Sequence, residues 1–416
     1  MKTEKLKGIA EYIKSFFKWI VIAVLIGAIG GVLGSIFHES LDFAAEIRAE
    51  NQWVIYLLPI AGIIIAAIYK PFRKKGRIDT NRVIEAVQSE DKVPLVMMPL
   101  IFISTVITQL FGGSAGREGA ALQLGGSVGY NIGKLFRLNK LDTHIIIMAG
   151  MSSVFAALFG TPLTAAVFAL EVICVGSMLY CGLMPCIVAS AVAYKTALLL
   201  GVSPVRFENV AFGAISSELM IKTVVLAFLC AIVSIIFVVA IEKCEHFMNK
   251  VINNAYLRAF VGGLIIAGLT VILNTTDYNG AGMNIVEEAV NGAARPEAFL
   301  LKIIFTAITI SAGFKGGEIV PTLFIGSTFG CVMGAVLGID AGVGAAIGFV
   351  ALFCGVANCP LASIILAVEV FGSEALLIFA LAVGVSYMMS GYFGLYKSQR
   401  IVMSKLTDEV IDIHTK

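Results

Sequence analysis

The hydrophobic pattern divides the chain into two long apolar runs followed by many short ones. The long runs cover about residues 19–37 and 53–69, and each can cross a bilayer core of ~30 Å at ~1.5 Å per residue. Beyond Pro94 the apolar segments are shorter and are cut by glycine. Irregular backbone at membrane depth is tolerated only inside protein or beside a polar cavity. The pattern therefore predicts an all-α polytopic membrane protein built of tilted and broken helices.

Charged residues flank the long runs unevenly and indicate the orientation of the chain. Basic residues precede the first run and recur between residues 70 and 93, whereas residues 38–52 form an acidic stretch that we expect to be a loop. The positive-inside rule places the N-terminus and residues 70–93 in the cytoplasm and residues 38–52 outside. We expect the C-terminus to be cytoplasmic too, with 397–416 a short tail and no regulatory domain.

Composition supports a membrane protein and excludes several other classes. Hydrophobic residues make up 58% and charged residues 14% of the 416 residues, and the 42 glycines suit helices that pack closely or break in the bilayer. The net charge of +2 argues against a nucleic-acid partner. The four histidines and eight cysteines show no metal-binding spacing, so we expect no metal and no cofactor. An enzyme would need a nucleophile–base pair or a metal cluster, and the sequence offers none.

The two halves of the chain resemble each other. Residues 160–172 (GTPLTAAVFALEV) match 358–370 (NCPLASIILAVEV) at an offset of 198, and 114–119 (SAGREG) match 311–316 (SAGFKG) at an offset of 197. These matches predict one transmembrane domain over 1–416, with repeat halves at 1–200 and 218–396. The sequence leaves open whether the copies are parallel or inverted. Polar stretches at 201–217 and 242–255 are expected to be breaks.

Two glycine-rich breaks precede apolar helices and predict an anion site. The candidate binding residues in these breaks are Gly116, Arg117, Gly119, Gly317, Glu318, Ile319 and Val320. The charged side chains of Arg117 and Lys315 are expected to act as interfacial anchors or to set the local field rather than to bind the anion directly. Glycine lets backbone N–H groups turn toward a ligand, and a helix N-terminus offers unsatisfied donors and a positive dipole end. Two such ends at the midplane would hold a small anion that must also leave.

Carboxyl and phenol groups near these breaks have two interpretations each. Glu118 either competes with the anion and carries a proton, or only complements the helix dipole. Glu318 is either a solvated first-turn acid or a group that handles ions or protons. Glu171 and Glu369 end the matched helices, where capping or pairing is favoured. Tyr396 is either an aromatic-belt residue or a donor to the anion.

The motifs resemble those of the CLC family of chloride channels and proton-coupled anion antiporters. Residues 116–119 (GREG) are similar to the family's G-R-E-G-P, 316–321 (GGEIVP) to its G-G-x-F-x-P, and Leu395-Tyr396 to its late Pro-Leu-Tyr. The resemblance covers nearly the whole chain. It implies a CLC-like inverted repeat, a homodimer and one anion pathway in each subunit.

Carried over by position, the resemblance assigns roles to individual residues. Glu118 is similar to the gating glutamate that carries the proton, and Tyr396 to the inner-gate phenol. Backbone N–H groups near Glu318 and Ile319 resemble the central anion donors. Val172 stands where chloride antiporters have an internal proton-carrying glutamate.

Further departures from the family pattern resemble its fluoride-exporting branch. Ala120 replaces the proline after G-R-E-G. Residues 76–81 (GRIDTN) replace the motif with the anion-binding serine, which makes Ile78, Thr80 and Asn81 a possible inner site. Thr80-Asn81 resembles a pair found in the fluoride branch, whereas Ile78 departs from the Met or Asn of that branch.

The sequence thus predicts an inner-membrane antiporter that exports fluoride in exchange for protons, with Glu118 as the shuttle. Its expected partners are fluoride, protons and the lipid bilayer. The alternative is a chloride or nitrate transporter or channel of the same fold, which would favour chloride. A scaffolding protein would leave the glycine breaks and Glu118 without a purpose.

Overall fold

Helices make up most of the fold. The computed structural model describes residues 2–75, 78–89, 91–207 and 210–416. The first half contains α1 (Lys2–Glu50), α2 (Leu58–Tyr69), α3 (Thr80–Gln88), α4 (Met97–Leu110), α5 (Glu118–Leu135), α6 (Lys140–Phe159), α7 (Pro162–Glu171), strand β1 (Cys174–Val175) and α8 (Leu183–Leu199). Short 3-10 helices lie at Gln52–Leu57, Lys70–Lys75 and Tyr180–Gly182.

The second half repeats the arrangement of helices. It contains α9 (Ser217–Val251), α10 (Ala255–Leu273), α11 (Met283–Val290), α12 (Ala298–Ala312), α13 (Ile319–Val336), α14 (Ala341–Ala357), α15 (Pro360–Phe371) and α16 (Leu376–Met389), followed by β2 (Arg400–Met403) and β3 (Val410–His414). By length and composition, 7 helices in the described part of the chain could cross a membrane, and α4, α7, α12, α14, α15 and α16 are shorter apolar helices. The prediction of short, broken helices is therefore confirmed.

One predicted loop is mostly wrong, and one predicted break is shorter than expected. The acidic stretch expected to be a loop at 38–52 is helical through Glu50. The polar stretch at 242–255 is helical through Val251 and breaks only at residues 252–254, before α10. Both stretches lack proline and glycine, so nothing stops a helix that leaves the membrane from continuing into water. Their polar residues lie mostly on exposed positions of these helix ends.

The repeat is present, but the predicted alignment of residues 114–119 with residues 311–316 is wrong. Helices α5 and α13 each have 18 residues and begin 201 positions apart, not 197. Helices α7 and α15 begin 198 positions apart, as predicted. The match between the two Ser-Ala-Gly sequences therefore shifts the predicted alignment of the halves by four residues. Such matches arise by chance, because small residues are frequent in membrane proteins.

Reciprocal capping shows that the repeats are inverted. Glu171, at the end of α7, accepts hydrogen bonds from the backbone N–H groups of Leu361 (3.1 Å) and Ala362 (2.9 Å) at the start of α15. Glu369, near the end of α15, accepts from Leu163 (2.9 Å) and Thr164 (2.8 Å) at the start of α7. Each helix end reaches the other helix's beginning, so α7 and α15 run antiparallel. The capping interpretation of both glutamates is confirmed.

Glycine contacts hold the next helix pairs together. A Cβ atom at Gly125 of α5 would overlap the carbonyl of Gly150 in α6, and a Cβ at Gly326 of α13 would overlap that of Gly348 in α14. The backbones of each pair therefore touch directly, which is the close approach that small residues permit in membranes. This packing fixes the directions of α5 and α13.

The last residues fold against the first half. Strand β2 pairs in parallel with β1 and antiparallel with β3, giving a three-stranded sheet in the order β1-β2-β3. The segment expected to be a short tail is therefore a hairpin, here called the C-terminal hairpin (residues 400–414).

We predict that Glu171→Ala lowers the free energy of unfolding by about 1–3 kcal/mol, because one buried and one partly buried N–H donor at the start of α15 lose their acceptor. Glu369→Ala has a smaller effect, since Glu369 is partly exposed whereas Glu171 is 6% exposed. Thermal unfolding in detergent measures both, with the exposed Glu288→Ala as control. Equal melting of Glu171→Ala and Glu288→Ala would contradict this account.

Candidate anion site

The N-termini of α5 and α13 meet at a two-bonded bridge. The N–H of Gly116 donates to the carbonyl of Gly317 (2.6 Å), and the N–H of Gly317 donates to the carbonyl of Gly116 (2.8 Å). Helix α5 begins two residues after Gly116, and α13 begins two residues after Gly317. Two positive dipole ends with free N–H donors therefore lie side by side, as the glycine breaks predicted.

The Glu118 side chain lies at the start of the opposite helix. Its Oε2 accepts a hydrogen bond from the backbone N–H of Val320 in α13 (3.1 Å). The same oxygen packs against both bridge glycines, since a Cβ atom at Gly116 would overlap it and one at Gly317 would lie 3.0 Å away. Glu118 is fully buried, and its Oε1 has no hydrogen-bond partner among the described residues. A carboxylate thus occupies the place where these donors could hold an anion.

Arg117 separates from the other residues predicted to bind the anion. Its guanidinium contacts the His38 ring, lies 3.7 Å from the Asp42 carboxylate and packs over Phe159. His38 and Asp42 lie near the C-terminal end of α1. The polar partners of the Arg117 side chain therefore lie on α1.

The possible inner-site residues Ile78, Thr80 and Asn81 line one cavity but have different hydrogen-bond partners. Thr80 donates from its hydroxyl to the carbonyl of Gly119 (3.2 Å) and accepts from the Gln123 amide (3.1 Å), so it lies directly beside the start of α5. Asn81 instead accepts from the backbone N–H of Ser398 (3.0 Å). Ile78 lies two residues before Thr80 on the wall of a cavity. Gly76 and Arg77 of the same motif lie outside the described residues.

A cavity of about 190 Å³ borders the starts of α5 and α13. Thr80, Gln123, Glu318 and Tyr396 line it together. Tyr396 is 2% exposed, which excludes the aromatic-belt interpretation, and its hydroxyl has no hydrogen-bond partner among the described residues. The structure therefore brings the predicted phenol and Glu318 to one polar space.

The mouth of this cavity carries charges of both signs. Its further charged lining residues are Asp79, Glu242, Glu245, Lys315 and Lys397. A neighbouring cavity of about 570 Å³ shares Asp79, Glu245 and Lys315 with it. The basic groups can attract an anion into the mouth, and the carboxyl groups can exchange protons with water.

Sequence analysis missed Gln123 and Asp79 as lining residues. Gln123 is a buried polar side chain inside an apolar segment, which was a usable signal. Asp79 caps α3 by accepting from the N–H of Arg82 (3.1 Å), and no local pattern indicates that it also lines the cavity.

The opposite side of the site is closed by apolar packing. Phe155, Phe159, Leu323 and Phe353 meet Ile319 there and leave a gap of about 10 Å³. In the described ranges, no group of three or more His, Cys, Asp or Glu residues could hold a metal ion.

Comparisons with known proteins identify the family and the fold. The family model for the voltage gated chloride channel matches residues 61–391. A chloride/fluoride channel protein of Pseudomonas syringae pv. tomato is 36% identical over 395 residues, covering 93% of this chain and 87% of that protein. An H⁺/Cl⁻ exchange transporter, ClcA, of Vibrio campbellii is 23% identical, and the match covers 87% of this chain and 84% of that protein.

Solved structures show the same fold. The crystal structure of a CLC-type fluoride/proton antiporter superposes with a TM-score of 0.88 at 30% identity, covering 93% of this chain and 98% of that one. A slow cyanobacterial Cl⁻/H⁺ antiporter superposes with a TM-score of 0.77 at 18% identity, covering 89% and 94%. The latter similarity concerns the fold alone.

We predict that Gly317→Ala lowers anion flux by at least about tenfold. Its new Cβ would lie 2.5 Å from the N of Gly119 and 2.9 Å from the N of Glu118, so the paired helix ends must separate. Gly268→Ala is the control, because a Cβ there meets nothing within 4 Å. Flux is measured in reconstituted vesicles, and equal flux for the two variants would contradict the site.

Proposed function

Because this chain belongs to the voltage gated chloride channel family, we propose that it is a proton-coupled antiporter that exports cytoplasmic fluoride in exchange for protons. The observation that carries the proposal is the hydrogen bond from the Val320 N–H to the Glu118 carboxylate. It gives one group two properties, since this carboxylate can take up a proton and can also occupy an anion's donors.

The proposed cycle depends on competition between the Glu118 carboxylate and fluoride for the same N–H donors. Ionised Glu118 holds the donors at the start of α13 and excludes the anion. Once protonated, the side chain loses most of its attraction to these N–H groups and leaves, and fluoride takes its place. When the proton is released to the other side, the carboxylate returns and displaces the anion. Proton and anion thereby exchange across the membrane.

Fluoride is favoured over chloride by three observations. The solved structure at 30% identity carries fluoride alone in its name, and the relative at 36% identity carries both chloride and fluoride. Val172, at the family's internal glutamate position, is a buried side chain that cannot carry a proton. Fluoride is a strong hydrogen-bond acceptor, and the Val320 N–H already donates to an oxygen acceptor at this site.

The cytoplasmic cavity supplies the inner route in this proposal. Fluoride enters past Lys315 and meets the Tyr396 hydroxyl and the Thr80 side chain before it reaches the Val320 N–H. Glu318 lines this cavity and directly precedes α13, whose Val320 N–H donates to the Glu118 carboxylate. We assign Glu318 to proton handling on the cytoplasmic side.

We also propose that the protein is an inner-membrane homodimer with both termini in the cytoplasm. The basic residues at 70–75 and the acidic residues near the end of α1 support this orientation. Leu163 of α7 and Leu361 of α15 project outward at matching positions of the two short antiparallel helices, with 51% and 49% exposure. They offer a symmetric apolar face for a second copy, and the subunit count in detergent tests this arrangement.

Efflux from proteoliposomes tests the transport function. Vesicles loaded with fluoride or chloride are followed with ion-selective and pH electrodes together. The proposal expects fluoride efflux with coupled proton uptake and little chloride movement. Equal or faster chloride movement would contradict fluoride export, and anion movement that a pH gradient cannot drive would make the protein a channel.

Glu118→Gln tests the shuttle. We expect proton movement coupled to fluoride to fall to the background of empty vesicles, because an amide cannot exchange a proton at this pH. The exposed Glu288→Gln should couple as the parent protein does. Proton-coupled exchange by Glu118→Gln would defeat the mechanism.

A further inference from the structure

We propose that the C-terminal hairpin positions Tyr396 beneath the anion site, and that Thr415 and Lys405 are its positioning residues. The inference rests on the proposed function, which gives the Tyr396 hydroxyl a place on the anion route. It assigns a role to a segment that the sequence suggested was only a short tail.

The Tyr396 hydroxyl has no hydrogen-bond partner among the described residues, so no polar contact at the tip of the ring fixes its place. The ring is buried in the apolar core, which holds it on its faces. The height of the hydroxyl in the cavity is set in addition by the backbone that carries the ring. Contacts to the backbone of residues 392–399 therefore help to decide where the hydroxyl lies.

Thr415 makes the first of these contacts. Its hydroxyl donates to the carbonyl of Tyr396 (2.6 Å), and its backbone N–H donates to the carbonyl of Gln399 (3.1 Å). Gln399 donates in turn from its own N–H to the Tyr396 carbonyl (2.9 Å). Thr415 is 7% exposed, so these bonds form away from water. The residue directly after β3 thus holds Tyr396 itself.

The neighbouring backbone bonds close the loop on both sides. Leu395 donates to the carbonyl of Val356 in α14 (3.0 Å). Lys416 donates to the carbonyl of Tyr392 (2.8 Å) and accepts from Gly394 (3.2 Å). The Tyr396 segment is therefore clamped between the end of α14 and the residues that follow β3.

Lys405, in the turn of the hairpin, anchors this clamp to the helices. Its Nζ donates to Asn358 Oδ1 (2.5 Å), the carbonyl of Tyr387 (3.0 Å) and the hydroxyl of Ser390 (3.2 Å). It also lies 4.3 Å from the centre of the Tyr387 ring. All three donors of the ammonium group have partners. The hairpin is thus attached to α16 and to the residue after α14.

Asn358 connects the Lys405 ammonium group to the Tyr396 segment through hydrogen bonds. Its amide donates to the carbonyl of Phe393 (3.0 Å) and to the side chain of Gln399 (3.2 Å), which flank Tyr396 on either side. Loss of the Lys405 contact would leave the Asn358 carbonyl oxygen without that donor and free the amide to move.

The hairpin also ties Tyr396 to the first half of the chain. Strand β2 pairs with β1, and Gln88 of α3 donates to the carbonyls of Ile173 (2.7 Å) and Ser398 (2.9 Å). Helix α3 begins with Thr80, which borders the start of α5. The sheet and the Gln88 bonds therefore tie the Tyr396 segment to α3, whose Thr80 lines the same cavity as Tyr396.

Three variants of the full chain test the proposal. Thr415→Val removes the hydroxyl donor and keeps the shape, and Lys405→Met removes the ammonium and keeps the stem. Thr407→Val is the matched control, because it makes the same change as Thr415→Val in the exposed turn of the same hairpin. Each variant is also made together with Tyr396→Phe.

The first measurement is amide hydrogen exchange of residues 392–399 in the purified protein. It reads the clamp directly and does not depend on transport. We expect protection in this segment to fall about three- to tenfold in Thr415→Val and Lys405→Met, as for the loss of one buried hydrogen bond, and to stay unchanged in Thr407→Val. Unchanged protection in the first two variants would overturn the proposal.

The second measurement is fluoride flux with proton uptake in proteoliposomes. Thr415→Val and Lys405→Met should lower coupled flux about three- to tenfold in the parent background and have no further effect beside Tyr396→Phe, because they act through the phenol. Full additivity with Tyr396→Phe would overturn the positioning role. Absence of fluoride flux in the parent protein would instead contradict the proposed function, while the exchange data would still decide the clamp.

Discussion

Backbone N–H groups at a helix N-terminus have no partner within the helix, and inside a bilayer there is no bulk water to take them. In this protein two such ends are brought together by the bridge between Gly116 and Gly317, and the Glu118 carboxylate accepts from one of the donors. Two further features of the fold hold these helix ends in place. Backbone-to-backbone packing of α5 on α6 and of α13 on α14 sets the helix directions. Reciprocal capping by Glu171 and Glu369 locks the two halves in opposite orientations.

The same physics explains why the site needs no cation at its centre. A full positive charge beside a small anion in a low-dielectric site would hold it too tightly for transport. The Arg117 guanidinium contacts His38 and Asp42, and Lys315 lines the neighbouring cavities. Partial charges of backbone dipoles remain at the site, and they suit an ion that must be released in every cycle.

Sequence reasoning predicted the parts of this account that depend on local chemistry. Glycine next to an apolar helix start located both ends of the site, and glutamates at the ends of matched helices were correctly interpreted as caps. Features that depend on the tertiary fold could not be found this way. The 197-residue offset was wrong because Ser-Ala-Gly recurs by chance, whereas the helix starts differ by 201. The C-terminal hairpin depends on pairing with β1, more than 220 residues earlier in the chain, which no local pattern indicates.

The central claim is that fluoride and the Glu118 carboxylate compete for the same donors. Titration calorimetry of the purified protein with fluoride, in buffers of different ionisation enthalpy, counts the protons taken up per bound anion. The account predicts uptake of about one proton per fluoride in the parent protein near neutral pH and none in Glu118→Gln. Fluoride binding to the parent protein without proton uptake would contradict it.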